Sequence, residues 1–202
     1  MYARIVTTQY QPGKIDEGLQ IFLNSIMPVA RQQPGYKGML GLVDRTAGKA
    51  IAIALREVAV DMQATDETSS YYQAQIAKLM PLLAGAPVVE VYEVSIQEIQ
   101  QGGPGGYARV LTGTVHPGKT DEGVQIVRDS ILPVTRQQPG YKGYLSLTDR
   151  TSGKAISISL WETEADLLAG ETSGYLREQL GKLSHLLATQ VEREAYEVAV
   201  QE

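Results

Sequence analysis

The chain of 202 residues contains no cysteine and only two histidines, His116 and His185. Disulfides, thiolate nucleophiles and Cys-ligated zinc or iron–sulfur centres are therefore excluded. A metal site built from several histidines of one chain is close to excluded as well, and no metal is expected. The formal net charge is −5 and no stretch is strongly basic, so a nucleic-acid partner is not expected, since phosphate neutralisation needs clustered Lys and Arg. No apolar run approaches the roughly 18 residues that would span a bilayer, and no membrane partner is expected. The start, Met1-Tyr2-Ala3-Arg4-Ile5-Val6, alternates like a strand and lacks the apolar core of a signal peptide. A cytoplasmic location is the expectation. No GxGxxG or GxxxxGK[ST] pattern offers a nucleotide loop, and no elbow motif offers a nucleophilic serine.

What the sequence does contain is itself, twice. Tyr2-Ala3-Arg4 recurs as Tyr107-Ala108-Arg109, and Pro12–Gly18 recurs as Pro117–Gly123 with Thr120 in place of Ile15. The octet RQQPGYKG occupies both Arg31–Gly38 and Arg136–Gly143. Asp44-Arg45-Thr46 recurs as Asp149-Arg150-Thr151. Glu67-Thr68-Ser69 recurs as Glu171-Thr172-Ser173 after a one-residue deletion, and Tyr92-Glu93-Val94 as Tyr196-Glu197-Val198. The division is residues 1–98 as repeat one, a flexible Gly-rich linker over 99–106, and 107–202 as repeat two.

Within one repeat, residues 3–10 alternate as a strand. A helix follows from near Asp16, with Ile15, Leu19, Phe22, Ile26 and Val29 as its apolar stripe, and Pro34-Gly35 stops it. Tyr36–Asp44 and Lys49–Glu57 read as a hairpin. A second helix is expected over roughly 65–83, with Pro81 kinking or shortening it. Val88–Gln97 reads as the last strand. The order β-α-β-β-α-β is the ferredoxin-like split βαβ arrangement, with both helices on one sheet face. Ile51, Ile53 and Leu55 share one face of the third strand. Ala50, Ala52 and Ala54, and their counterparts Ala155, Ser157 and Ser159 followed by Trp161, are read as the face away from the helices. Such a face is expected to seek a cover, and the duplicate supplies one.

The residues PGK-x-DEG, PG-Y-x-G and Trp161-Glu162-Thr163-Glu164-Ala165 resemble the antibiotic biosynthesis monooxygenase (ABM) domain over nearly the whole of each repeat. Repeat one departs from the pattern at Arg56-Glu57-Val58-Ala59-Val60. The resemblance implies an α+β fold in which two ferredoxin-like units pair as a dimeric α/β barrel, here an intrachain pseudo-dimer with further homo-oligomers open. It also implies three functional readings. The first is a cofactor-independent monooxygenase acting on a small aromatic or quinol-like compound with O2. The second is a non-catalytic small-molecule-binding or stress-response protein, and the third is haem binding. The pattern of the haem-degrading branch has an Asn in the first strand, a Trp before the second helix and a ligating His in it. The first strands here carry no Asn. The Trp position falls near Ala169-Gly170 and the His position at Gln75 and Gln179. His185, placed on the second helix, points away from its apolar stripe.

A cofactor-free oxidation asks the protein for a dry pocket, an oriented ring and a polar group that holds a phenolate. Arg4, Arg109, Tyr36, Tyr141, Tyr144, Trp161 and Tyr175 are eligible. Tyr144 and Trp161 stand where repeat one has Met39 and Arg56, so they mark repeat two. His116, Arg109 and Tyr144 are the candidate catalytic residues, and Trp161, Tyr144, Tyr141 and Tyr175 the candidate ligand wall. Each has a plain structural alternative: Tyr144 packing between the domains, Trp161 filling the sheet edge, His116 facing solvent, and the arginines making inter-strand or inter-domain salt bridges. The RQQPGYKG block is read as a helix stop followed by a strand start.

Overall fold

In a computed structural model, residues 1–57, 70–99 and 105–202 are described. The chain forms two compact units, one of Met1–Tyr92 with Ala199–Glu202, the other of Glu93–Val198. Unit one carries β1 (Tyr2–Gln9), a first helix, β2 (Tyr36–Asp44), β3 (Lys49–Arg56), α3 (Ser70–Leu79) and the first half of β4 (Val88–Gln97). Its strand order is β4-β1-β3-β2, followed by the end of β8 (Glu192–Gln201). Unit two carries β5 (Tyr107–Thr114), its own first helix, β6 (Tyr141–Thr148), β7 (Lys154–Trp161), α6 (Glu164–Thr172), α7 (Tyr175–Gly181) and most of β8. Its order is β8-β5-β7-β6, followed by the end of β4. Both are the β-α-β-β-α-β arrangement expected. The start of the second helix of repeat one, the Tyr72 side chain, the signature positions 58–60 and linker residues 100–104 lie outside the described residues.

The first helix is interrupted at the same place in each unit. α1 (Ile15–Ile21) runs into a π-turn at Phe22–Ile26 and then α2 (Met27–Ala30); α4 (Thr120–Ile126) runs into Val127–Ile131 and then α5 (Leu132–Thr135). The cause is Pro28 and Pro133, one residue into each short helix. Proline has no N–H, and its ring clashes with the carbonyl four residues earlier in a regular helix. Widening that turn removes the conflict: the Met27 and Leu132 N–H groups donate to Phe22 and Val127, five residues back. The second helix of repeat two is also divided, at Gly174 with φ +82°. It ends at Gly181 and continues as tight turns, so His185 lies beyond the helix rather than on it.

One expectation is reversed. The face of the hairpin strands that meets the helices is the small-residue face. Met39, Val43, Ala50 and Ala54 pack against Ile15, Phe22, Ile26, Met27, Ala30 and Leu79. Ile5, Leu40, Leu42, Ile53 and Leu55 point to the opposite face and are almost fully buried. Strand alternation fixes which residues share a face, but not which face the helices choose. Branched side chains occupy the face without helices. The alanines and serines leave the helices standing off the sheet, and a cavity remains between the two layers.

The RQQPGYKG block does more than stop a helix. In unit one Arg31 holds Glu202 with Nε at 3.0 Å and Nη2 at 2.5 Å, and the Tyr36 hydroxyl donates to the same carboxylate. In unit two Arg136 and Tyr141 hold Glu98 in the same way, with Nε at 2.9 Å and the phenol at 3.3 Å. These arginines keep the Glu202 and Glu98 carboxyls below their ordinary range. Gly38 and Gly143 let the incoming strand approach: a Cβ on Gly38 would lie 2.4 Å from the Glu202 carbonyl oxygen, and one on Gly143 2.8 Å from that of Glu98. Gly38 also has φ +149°. The longest identity between the repeats is thus a socket for the end of the other repeat's last strand. Gly38→Ala is expected to lower stability by roughly 2–4 kcal/mol, from backbone strain plus the forced displacement of Glu202, read as a shift in the urea midpoint.

Candidate functional site

A cavity of about 110 Å³ lies between sheet and helices of unit two. β5 presents Arg109, Leu111 and Gly113; β6 presents Tyr144, Ser146 and Thr148; β7 presents Ala155, Ser157, Ser159 and Trp161. The helices add Val127, Ile131, Thr135, Tyr175 and Gln179. Strand register brings the polar set together, since Arg109 lies opposite Ser159, and Ser159 opposite Tyr144.

Arg109 is only 2% exposed, and its charge is handled from three sides. Nη2 donates to the Leu167 carbonyl on α6, Nε lies 3.5 Å from Glu171, and the guanidinium sits 5.3 Å from the Trp161 ring centroid. Burial lowers its pKa from the ordinary value, which Glu171 opposes, and it remains a cation. The salt-bridge partner is a helix residue of the same repeat, which corrects the expectation of an inter-strand or inter-domain pair. Glu171 is also held by Arg193 at 3.2 Å.

The Trp161 indole N–H donates to Ser159 Oγ at 2.9 Å. Trp161 is a buried part of the cavity wall, which corrects the sheet-edge alternative. The Tyr144 hydroxyl donates to Ser157 Oγ at 2.8 Å, and its ring packs with Val127, Ile131 and Leu132 of the first helix. Burial pushes the Tyr144 pKa up to about 12, so at neutral pH it is a hydrogen-bond donor and not a base. Thr135 and Tyr175 share a hydrogen bond of 2.5 Å, and Thr135 also donates to Ile131 O. The Tyr175 pKa is raised by burial.

The raised tyrosine has a stability consequence. The native state retains the Tyr144 proton where the unfolded chain, near pH 10, has lost it. Stability contributed by the neutral phenol is complete below pH 10 and is lost as pH rises from about 10 to about 12. Tyr144→Phe is expected to flatten the fall of the urea midpoint in that window.

Of the residues singled out in the sequence, Arg109, Tyr144, Trp161 and Tyr175 converge on this cavity. Tyr141 does not line it. Its ring meets the edge of Trp161 at 6.2 Å between centroids, and its hydroxyl serves Glu98. His116 is exposed at the turn after β5, bonded through its backbone to Leu186 and Lys119. His185 is exposed, 3.4 Å from Glu122. Sequence reasoning missed Ser157, Ser159, Thr135, Ser146 and Thr148 as wall residues. The signal was available: each is a hydroxyl where repeat one has Ala52, Ala54, Ala30, Gly41 and Val43. The motif following Trp161 has a local explanation, because Thr163 caps α6 by accepting from the Asp166 N–H at 3.1 Å.

Residues 107–178 match the family model described as antibiotic biosynthesis monooxygenase. The chain is 29% identical over 164 residues to the uncharacterized protein Rv2557 of Mycobacterium tuberculosis (strain ATCC 25618 / H37Rv), covering 81% of this chain and 72% of that protein. Among solved structures, an anthrone oxidase-like protein superposes with a TM-score of 0.75 at 13% identity, covering 98% of this chain and 90% of the other. LmHde, a heme-degrading enzyme from Listeria monocytogenes, superposes with a TM-score of 0.56 at 13% identity, covering 98% and 99%. At these identities the two structures share the fold alone.

Proposed function

From a second repeat whose residues 107–178 match the antibiotic biosynthesis monooxygenase family model, we propose that its cavity binds a single-ring phenol- or quinol-like compound and oxidises it with O2 without a cofactor. The observation that supports this best is the wall: hydroxyls of Thr120, Thr135, Tyr144, Ser146, Thr148, Ser157, Ser159 and Tyr175, the Gln179 amide and the cation of Arg109 line a cavity whose remaining wall is apolar. A volume of about 110 Å³ is near the roughly 150 Å³ that accepts a benzene ring, so fused polycycles do not fit without rearrangement. Arg109 and the hydroxyls would stabilise the phenolate, and the electron-rich ring reduces O2 directly. In the balanced reaction one oxygen atom enters the ring and the other leaves as water. The substrate supplies four electrons: a phenol becomes a quinone, and a quinol becomes a hydroxyquinone.

A second reading, binding without turnover, is favoured by a specific observation. No carboxylate or imidazole is among the described residues lining the cavity, so the phenolic proton has no base inside it. The chemistry therefore favours substrates acidic enough to enter as anions. The residues present do not match the ligand set of the haem-degrading branch. By the resemblance, Gln179 stands at the position of the ligating His, and a Cβ on Gly170, near the position of the Trp, would lie 3.3 Å from Tyr175 and 3.5 Å from Arg109. Oxygen consumption with catechols, hydroquinones and their halogenated, more acidic forms decides between the first two readings. Saturable uptake that rises with substrate acidity supports oxidation, and saturable binding with no uptake leaves the binding reading.

A further inference from the structure

Strands β1 and β3 bring two arginines to one end of a cavity of about 120 Å³ in unit one. Arg4 lies opposite Ala54 in the ladder, and Arg56 follows two residues later on the same face of β3. Diagonal neighbours of this kind stand about 7–8 Å apart at the backbone, so both guanidiniums serve one end wall. Arg4 is 7% exposed and Arg56 3%. Arg56 Nη1 donates to the Pro34 carbonyl at 3.2 Å, and its guanidinium lies 5.5 Å from the Tyr36 ring centroid. In repeat two Trp161 takes the place of Arg56, so the corresponding end carries one cation, Arg109, against an indole.

From the arginines the cavity runs along β1, where Val6 lies opposite Ala52 and Thr8 opposite Ala50. At about 3.3 Å per residue, the way from Arg4 to Thr8 is roughly 13 Å. The wall between them is chiefly hydrocarbon, with Met39 of β2 and Ile76 of α3 beside the valine and the alanines. Thr8 and Tyr10 belong to the far end of the strand, away from the arginines. Thr8 Oγ1 donates to the Ala50 carbonyl at 3.4 Å, and Gln75 Oε1 accepts from Lys78 at 2.8 Å.

We propose that this cavity binds a small organic carboxylate, with its head at Arg4 and Arg56 and its apolar tail along Val6, Ala52 and Ala54. Two like charges held side by side in a low-dielectric interior repel, and an anion between them is attracted to both. A guanidinium presents a rigid fork of N–H donors that matches a carboxylate. The bond to Pro34 uses one arm of Arg56, and a carboxylate of the chain can share the remaining donors of the pair with that of a ligand. An uncharged amide of the same shape forgoes the ionic attraction, and an anion without a tail forgoes the hydrocarbon wall. The volume is below the roughly 150 Å³ that accepts benzene, which limits the tail to a few carbon atoms.

The test is calorimetric titration of the full chain at neutral pH and low salt with pentanoate, pentanamide and acetate. Pentanoate is expected to bind saturably and at least tenfold more tightly than either of the others. Arg56→Trp installs the side chain that the fold accepts at the equivalent place in repeat two. It is expected to weaken pentanoate at least tenfold and to leave pentanamide little changed, and Arg56→Lys is expected to keep part of the affinity. Ala52→Leu blocks the tail and is expected to weaken pentanoate more than acetate, which locates the site even if the Arg56 variants fold poorly. Ser157→Leu, which fills the repeat-two cavity, is expected to leave pentanoate unchanged. Pentanoate that does not bind, that binds no better than pentanamide or acetate, or that responds to Ser157→Leu and not to the repeat-one variants overturns the proposal.

Discussion

Removing residues 199–202 is expected to destabilise unit one by roughly 4–5 kcal/mol while leaving unit two folded. Val200 is 4% exposed and belongs to the cluster of Met27, Ala30 and Met39, and burying a side chain of that size is worth about 1.5–3 kcal/mol. Met39 and Glu202 exchange backbone bonds of 2.9 and 3.0 Å, each contributing about 1 kcal/mol. Gly41 admits Val200 closely, since a Cβ there would stand 3.1 Å from the valine Cβ. Deletion therefore exposes an apolar strip and an unpaired β2 edge together. The loss is a large part of the 5–15 kcal/mol typical of a whole domain. The measurement is urea unfolding followed by two probes. Trp161, the only tryptophan, reports on unit two, and far-ultraviolet circular dichroism reports on both. The truncated chain is expected to show an early dichroism transition with the fluorescence transition little moved. Glu202→Gln alone is expected to cost much less, because Arg31 is solvent-exposed and such pairs are worth little. Coincident, unshifted transitions in the truncated chain would contradict this account of the socket.

The same socket shows where the sequence was legible. Repetition exposed the two units, the strand limits Tyr36–Asp44 and Val88–Gln97, and the importance of RQQPGYKG, because duplicated segments compare themselves. It did not say what the octet binds: its partner Glu202 is 171 residues from Arg31, and pairing at that range leaves no local period. Parity misled in one respect. Ile51, Ile53 and Leu55 form the stronger apolar face, yet the helices cover Ala50 and Ala54, since density of packing and the choice of layer are separate matters. The interruption at Pro28 and Pro133 was overlooked because the apolar stripe runs through it unbroken. At the site, Tyr144 and Trp161 were found by asking where the repeats differ in aromatic residues. Asking where they differ in hydroxyls would have found Ser157, Ser159 and Thr135 too. His116 drew notice as a rare residue type, but scarcity says nothing about direction, and it faces solvent.

Arg109→Met is expected to lower O2-dependent turnover of a phenolic substrate by about 100-fold or more, the usual cost of removing a preorganised donor from a developing oxyanion. Methionine keeps much of the arginine's length and its packing beneath the Trp161 ring, and it removes only the charge and the donors. The partner left behind is not stranded, because Arg193 holds Glu171 at 3.2 Å. Among the neighbours, the lost donor falls on the Leu167 carbonyl, at about 1–3 kcal/mol, so a modest fall in melting temperature is expected. The fold loss and the functional loss then separate by their dependence on substrate acidity. A structural role alone would lower turnover equally for all substrates. A role in holding the phenolate predicts that the defect is largest for weakly acidic phenols and shrinks for halogenated ones, whose anions need less stabilisation. Arg109→Lys keeps a cation but not the planar fork that reaches both Leu167 and Glu171, and is expected to recover part of the activity. Equal losses across the acidity series, with no recovery in the lysine variant, would reduce Arg109 to a packing residue with no part in holding the phenolate.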